Sequence, residues 1–179
     1  MKWNRWIIKA AKIITKFTEL GYWMTAALML TAGIYSFADR TFLADALAGS
    51  IRTGRLEFSV PTANGIDMRA MLLYFVAAIA LPSLMAMIFR NLYLIIKRSE
   101  SSTVFQADNI RMLREIGIFA ISIPLAGLAL SIVCRLILGT DTVETSVRLY
   151  GFSMGLVILC LTQFFARGVE LEQDVEGLV

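Results

Sequence analysis

The chain has 179 residues, of which 58% are hydrophobic and only 17% are charged, and its net charge is +3. Soluble domains are about half apolar and a quarter charged, so this composition excludes an ordinary soluble globular protein. The sequence has no histidine and only two cysteines. The usual ligands and general bases of metal and hydrolytic centres are therefore scarce.

The first segment, residues 1–19, has the pattern of a basic amphipathic helix. Its apolar face comprises Trp3, Trp6, Ile7, Ala10, Ile14 and Phe17, and its basic face comprises Arg5, Lys9, Lys12 and Lys16. Such a helix is expected to lie along the inner membrane surface, where the basic face attracts anionic lipid rather than nucleic acid. Docking of an acidic partner is the alternative.

Four uncharged runs follow, each near the length needed to cross a bilayer as a helix. They are Leu20 to Ala38, Ala70 to Phe89, Ile116 to Cys134 and Leu149 to Ala166. With their polar flanks, the predicted spans are about 20–38, 70–96, 106–136 and 147–170. We therefore predict an all-α integral membrane protein, a four-transmembrane-helix bundle that forms one domain over residues 1–179.

The first run also has a second interpretation. Ser36-Phe37-Ala38 before Asp39 resembles the cleavage site of a secretory signal. The run is longer than the core of such a signal and its leader is bulky, so a retained span is the preferred interpretation.

The connection between the first two spans combines two patterns. Leu43, Leu47 and Ile51 recur every four residues, which predicts a short surface helix from Thr41 to Ile51. Alternation from Leu56 to Val60, before Pro61, predicts a short strand or hairpin arm. A cap over the bundle is the expected role, and ligand sensing is the alternative.

Positive charge is distributed unequally between the two sides. Eleven Lys and Arg residues lie before the first span, between the second and third, and after the fourth, whereas six lie in the other two connections. Because Lys and Arg are retained on the inner side, both termini and the middle loop are predicted to be cytoplasmic.

Two prolines interrupt the predicted spans near their middle, Pro82 in the second and Pro124 in the third. Each removes a backbone donor and predicts a kink. In lipid, the freed carbonyls of Ala78 and Ala120 need neighbouring helices, hydroxyls or water as partners, and Ser83 and Ser122 lie close enough along the chain to help. Structural kinks are the preferred interpretation, and transport hinges are the alternative.

Small residues indicate where helices approach closely. Gly151 and Gly155 form a small-xxx-small pattern at the start of the fourth span, and Gly117 lies at the start of the third uncharged run. Packing inside one chain is the first explanation, and contact within a homo-oligomer is the second.

The cytoplasmic segments carry the candidate partner-binding residues. Thr103 and Gln106 have the spacing of a capping box, which places the start of the third helix before the lipid. Residues 171–179 continue the fourth helix as an acidic amphipathic tail. The candidate contacts are Phe105, Asn109, Arg111, Arg114, Arg167, Glu172, Asp174 and Glu176.

The segments FQADNIRMLREIG and FFARGVELEQDVEGLV resemble domain-of-unknown-function family 2975, small four-helix proteins of the bacterial inner membrane. Relatives more often have Pro where Val104 stands. The matching residues are Phe105, Asn109, Leu113, Arg114, Ile116 and Gly117, then Arg167, Gly168, Leu171 and the closing Glu-Gly-Leu-Val.

Members of that family are commonly encoded beside a small helix-turn-helix regulator of the Cro/CI type. The resemblance therefore implies a bacterial inner-membrane protein that anchors or restrains such a regulator, without binding nucleic acid directly. No catalytic motif and no cofactor site is recognisable, so we expect no enzyme activity and no cofactor. The alternative function is a small transporter, permeation subunit or efflux accessory protein.

Overall fold

The computed structural model describes residues 2–38, 50–53, 56–59, 68–99, 107–138, 143–145 and 150–176. Within these residues the chain forms four helices and three short strands. The helices are α1 (Lys2–Ala38), α2 (Met68–Ser99), α3 (Ala107–Leu138) and α4 (Tyr150–Glu176). The strands are β1 (Ser50–Thr53), β2 (Leu56–Ser59) and β3 (Val143–Thr145).

Helices α2, α3 and α4 are long and apolar enough to cross a membrane over Met71–Ser99, Asp108–Ile137 and Gly151–Glu170. Only 22%, 17% and 11% of their most apolar stretches are buried inside the protein. Large apolar side chains consequently face outward, among them Leu136 at 81% exposure and Phe164 at 73%. Such a surface is stable against lipid and costly in water.

Helix α1 runs without a break through residue 19, where the sequence analysis placed the boundary between the amphipathic segment and the first span. The segment contains no proline, and the single glycine near the boundary, Gly21, is tolerated inside a helix. Its 37 residues give a length of about 55 Å. The helix keeps apolar side chains exposed over both halves, including Phe17 at 77% and Met24 at 66%.

The three strands form one antiparallel sheet in the order β1-β2-β3. Ile51 pairs with Phe58, and Phe58 also pairs with Val143. The first connection, between α1 and α2, and the third connection, between α3 and α4, therefore meet in one sheet. Both must lie on the same side of any membrane that α2 and α3 cross. A strand at Leu56–Ser59 lies within the alternating run.

The helix predicted for Thr41 to Ile51 is wrong at its end, because Ser50 and Ile51 belong to β1. Pairing with β2 supplies backbone hydrogen bonds that a four-residue apolar repeat does not reveal. The rest of that predicted helix lies outside the described residues. Strand β3 was not predicted at all.

The chain divides into two compact units. Unit 1 comprises Met1–Gly21, Leu84–Ser122 and Leu149–Val179, and unit 2 comprises Tyr22–Ser83 and Ile123–Arg148. In unit 2 the buried core is Met71, Tyr74, Phe75, Ala77 and Ala78, with Met29, Ala32 and Leu130 packed against it. A side-chain carbon on Gly33 of α1 would lie 3.2 Å from the Phe75 ring, so α1 and α2 are in close contact there.

Candidate functional site

Polar side chains are concentrated in unit 1, where α2 ends and α3 begins. The buried Asn91 donates a hydrogen bond of 2.9 Å from its Nδ2 to Oε2 of Glu115. The other oxygen of Glu115 accepts a bond of 3.2 Å from Nε of Arg111, one turn earlier on α3. One carboxylate therefore connects a buried amide with an exposed guanidinium.

A second ion pair joins the same two helices nearer the end of α2. Arg98 donates from Nη1 to Oδ2 of Asp108 over 2.7 Å, and both side chains are well exposed. Between the two helix ends lies an open cleft of about 410 Å³. Its lining comprises Met87, Arg90, Asn91, Leu94, Arg98, Asp108, Arg111, Met112 and Glu115.

A third polar contact ties α1 to α2 within unit 1. Nζ of Lys16 lies 2.9 Å from Oε2 of Glu19 and 5.1 Å from the centre of the Tyr93 ring. The Glu19 side chain is only 9% exposed, whereas that of Lys16 is 55% exposed. A carboxylate removed from water needs such a partner, because an unpaired buried charge is strongly destabilising.

Helices α3 and α4 touch through two glycines of unit 1. A side-chain carbon on Gly155 would lie 2.5 Å from Cγ1 of Ile121 and 3.0 Å from the carbonyl oxygen of Gly117. A carbon on Gly117 would lie 2.7 Å from Leu159. Gly151 lies one turn before Gly155 and is half-buried.

The candidate partner-binding residues occupy different environments. Asn109 is 5% exposed, so its side chain contributes little area to an accessible surface. Arg111, Arg114 and Arg167 are exposed. The backbone of helix α4 includes Glu172, Asp174 and Glu176, but their side chains, and all of Phe105, lie outside the described part of the structure.

Pro82 and Pro124 lie inside helices that continue past them. The neighbouring hydroxyls do not bond the carbonyls that the prolines free. Ser83 donates to the carbonyl of Ile79 over 2.7 Å, and Ser122 donates to that of Ile118 over 2.8 Å. The expectation that Ser83 and Ser122 help at Ala78 and Ala120 was therefore wrong, because each hydroxyl reaches the carbonyl four residues before it.

Sequence reasoning did not single out Glu19, Thr15 or Asn91, which are all buried polar residues. One signal was present for Glu19, since it is the only acidic residue among the first 38. Burial of Asn91 depends on the packing of α2 against α3, and no local pattern encodes that.

The described residues contain no group of three or more His, Cys, Asp or Glu side chains placed to hold a metal ion. Cys160 is a free, exposed thiol, and the Cys134 side chain lies outside the described set. The chemistry that these described side chains can supply is hydrogen bonding and ion pairing.

Comparison with known proteins finds no matching family model, no matching curated protein and no matching solved structure.

Proposed function

We propose that the chain is a non-enzymatic, four-span protein of the bacterial inner membrane that holds a small cytoplasmic helix-turn-helix regulator. The observation that carries the proposal is the extension of helix α4 to Glu176, well past the uncharged run that ends at Ala166. Ten further helical residues add about 15 Å. They carry four acidic residues, Glu170, Glu172, Asp174 and Glu176.

Four spans require α1 to cross together with α2, α3 and α4. Its second half, from Tyr22 to Ala38, has no charged residue. Ala26, Gly33 and Ser36 of this half are buried in unit 2, and Leu28 and Ile34 face outward at 63% and 65% exposure. A helix buried on one side and apolar on the other is suited to a lipid-facing position.

The orientation rests on the distribution of Lys and Arg, which favours cytoplasmic termini. The charged ends of α2, α3 and α4 would then share the cytoplasmic side. There they would present the exposed Arg111, Arg114 and Arg167 together with the acidic end of α4.

The physical basis of the proposed restraint is competition for one surface. A helix-turn-helix protein carries a basic face that neutralises DNA phosphates. An acidic helix end fixed at the membrane would attract that face and keep the regulator from DNA. The resemblance to domain-of-unknown-function family 2975 supplies the identity of the partner class.

Charge reversal tests this proposal. The regulator is first identified as a protein that co-purifies with the wild-type chain from its own host. The variant Glu172→Lys, Asp174→Lys, Glu176→Lys should then release this regulator into the cytosolic fraction. The matched control reverses Asp39, Asp45 and Asp67 of the first connection, with the same change in net charge, and should leave the regulator in the membrane fraction. A regulator that stays with the membrane in the first variant contradicts the role of the tail.

The buried Glu19 favours a second candidate, a small transporter or permeation subunit. Ionisable residues inside transmembrane segments mark ion and proton pathways, and Glu19, at 7% exposure, directly precedes the first uncharged run. An ion or proton flux into liposomes that contain the wild-type protein would support transport, provided that the flux is lost in Glu19→Gln. Liposomes that remain impermeable to ions and protons with the wild-type protein would exclude such a pathway.

A further inference from the structure

The cleft between the end of α2 and the start of α3 has an excess of positive charge. Its two carboxylates already accept hydrogen bonds from arginines, Asp108 from Arg98 and Glu115 from Arg111. The third arginine, Arg90, is exposed and lines the same cleft. Within the described part of the chain, no hydrogen bond or ion pair engages its guanidinium.

The cleft also stands at a defined position along both helices. Arg90 is the first charged residue after the uncharged run Ala70 to Phe89, and Glu115 is the last before the run that begins at Ile116. In helices that cross a bilayer, this transition from apolar to charged residues falls at the level of the lipid headgroups. The Arg90 guanidinium is thereby placed where lipid phosphates are abundant.

Apolar side chains complete the lining of the cleft. Met87, Leu94 and Met112 stand beside the polar groups. A free phosphate or a nucleotide phosphate would leave these side chains without a partner. The glycerol and first methylene groups of a lipid would cover them while its phosphate meets the arginine.

We propose that this cleft binds the phosphodiester of an anionic glycerophospholipid. Arg90 donates charge-assisted hydrogen bonds to the phosphate oxygens, and its planar donor geometry suits them. Met87 and Leu94 contact the glycerol and the upper acyl chain. A choline headgroup carries its own cation, which the net positive charge of the cleft repels, so the site selects anionic lipid. This inference does not depend on the acidic tail or on the regulator.

The test titrates phosphatidylglycerol and phosphatidylcholine onto the full-length protein in detergent and counts bound lipids by native mass spectrometry. The wild-type protein should bind phosphatidylglycerol at least about tenfold more tightly than phosphatidylcholine. Arg90→Gln should weaken phosphatidylglycerol binding about tenfold, as expected for loss of hydrogen bonds to a charged group. The matched control, Arg114→Gln, removes an exposed arginine that does not line the cleft and should change binding less than twofold.

Three results would overturn the proposal. Equal losses in Arg90→Gln and Arg114→Gln would indicate general attraction of lipid to a basic surface. Equal affinity of the wild-type protein for the two lipids would remove the selectivity. Displacement of phosphatidylglycerol by millimolar inorganic phosphate would identify a site for free phosphate instead. The last two measurements use the wild-type protein, so they stand even if a variant fails to fold.

Discussion

The carbonyl oxygen of Gly117 on α3 lies 3.0 Å from the position that a side-chain carbon on Gly155 of α4 would occupy. The same carbon would lie 2.5 Å from Cγ1 and 3.0 Å from the backbone nitrogen of Ile121. Two of these three neighbours are backbone atoms, which cannot move aside without displacing the helix. The contact between α3 and α4 therefore depends on the absence of a side chain at Gly155.

Gly155→Ala should destabilise the protein by about 1–3 kcal/mol, the usual range for overpacking. The control is Gly127→Ala on α3, where a side-chain carbon would meet nothing within 4 Å. That control should be neutral or stabilising by up to about 1 kcal/mol, because alanine favours the helix. Thermal unfolding in detergent measures both. Equal stability of the two variants would mean that α3 and α4 do not pack closely at Gly155.

Lys16→Met should destabilise the protein by about 2 kcal/mol, because it leaves the buried carboxylate of Glu19 without its cation. The value is below that of a fully buried pair, since the Lys16 side chain is 55% exposed. The double variant Lys16→Met, Glu19→Gln should recover much of the loss. Lys9→Met, at an exposed position on the same helix, should change stability by less than about 0.5 kcal/mol. A Lys16→Met protein as stable as the Lys9→Met control would refute the pairing.

Glu115→Ala and Arg111→Ala should lower the stability of the protein by different amounts, although they break the same ion pair. Loss of Glu115 removes the acceptor of the buried Asn91 and should cost about 1–2 kcal/mol. Loss of Arg111 breaks a contact whose cation is 79% exposed and should cost less than about 0.5 kcal/mol. Chemical unfolding of the two variants provides the comparison. A larger cost for Arg111→Ala would contradict the connection between Glu115 and Asn91.

The sheet predicts a cross-link between the first and third connections. Phe58 and Val143 are Cα partners on β2 and β3, and paired strands bring Cα atoms to about 4.5–5.5 Å, within the range of a disulfide. In a protein whose own cysteines are replaced by serine, Phe58→Cys with Val143→Cys should therefore oxidise readily. Ser50→Cys with Val143→Cys should not, because Ser50 lies on β1, which β2 separates from β3. Electrophoresis after protease cleavage within residues 100–106 detects the link, and its absence would mean that the two connections do not pair.

The long helices follow from the sequence because their cause is local. Uncharged runs of bilayer length predicted apolar helices, and α2, α3 and α4 are helices of that kind. The features that escaped prediction depend on distant parts of the chain. Strand β3 pairs with β2 across some 80 residues of sequence. Ile51 lies in a strand because it pairs with Phe58, although its four-residue spacing predicted a helix.

The candidate site divides in the same way. Charge patterns identified Arg111, Arg114 and the acidic end of α4, since exposed charge can be recognised from the sequence alone. Burial cannot, so the sequence did not distinguish the enclosed Glu19 and Asn91 from solvated residues of the same types. The resemblance singled out Asn109, yet packing encloses it at 5% exposure.

The most direct measurement of the central claim, that four helices cross and leave both charged ends in the cytoplasm, is thiol labelling of intact cells with a membrane-impermeant reagent. Single cysteines are introduced as Asn4→Cys, Asn64→Cys and Glu176→Cys in a protein whose own cysteines are replaced by serine. The account predicts labelling of Asn64→Cys in intact cells and labelling of Asn4→Cys and Glu176→Cys only after lysis. Labelling of both Asn4→Cys and Asn64→Cys in intact cells would show that α1 does not cross, and labelling of Glu176→Cys would place the acidic helix end on the wrong side to hold a cytoplasmic regulator.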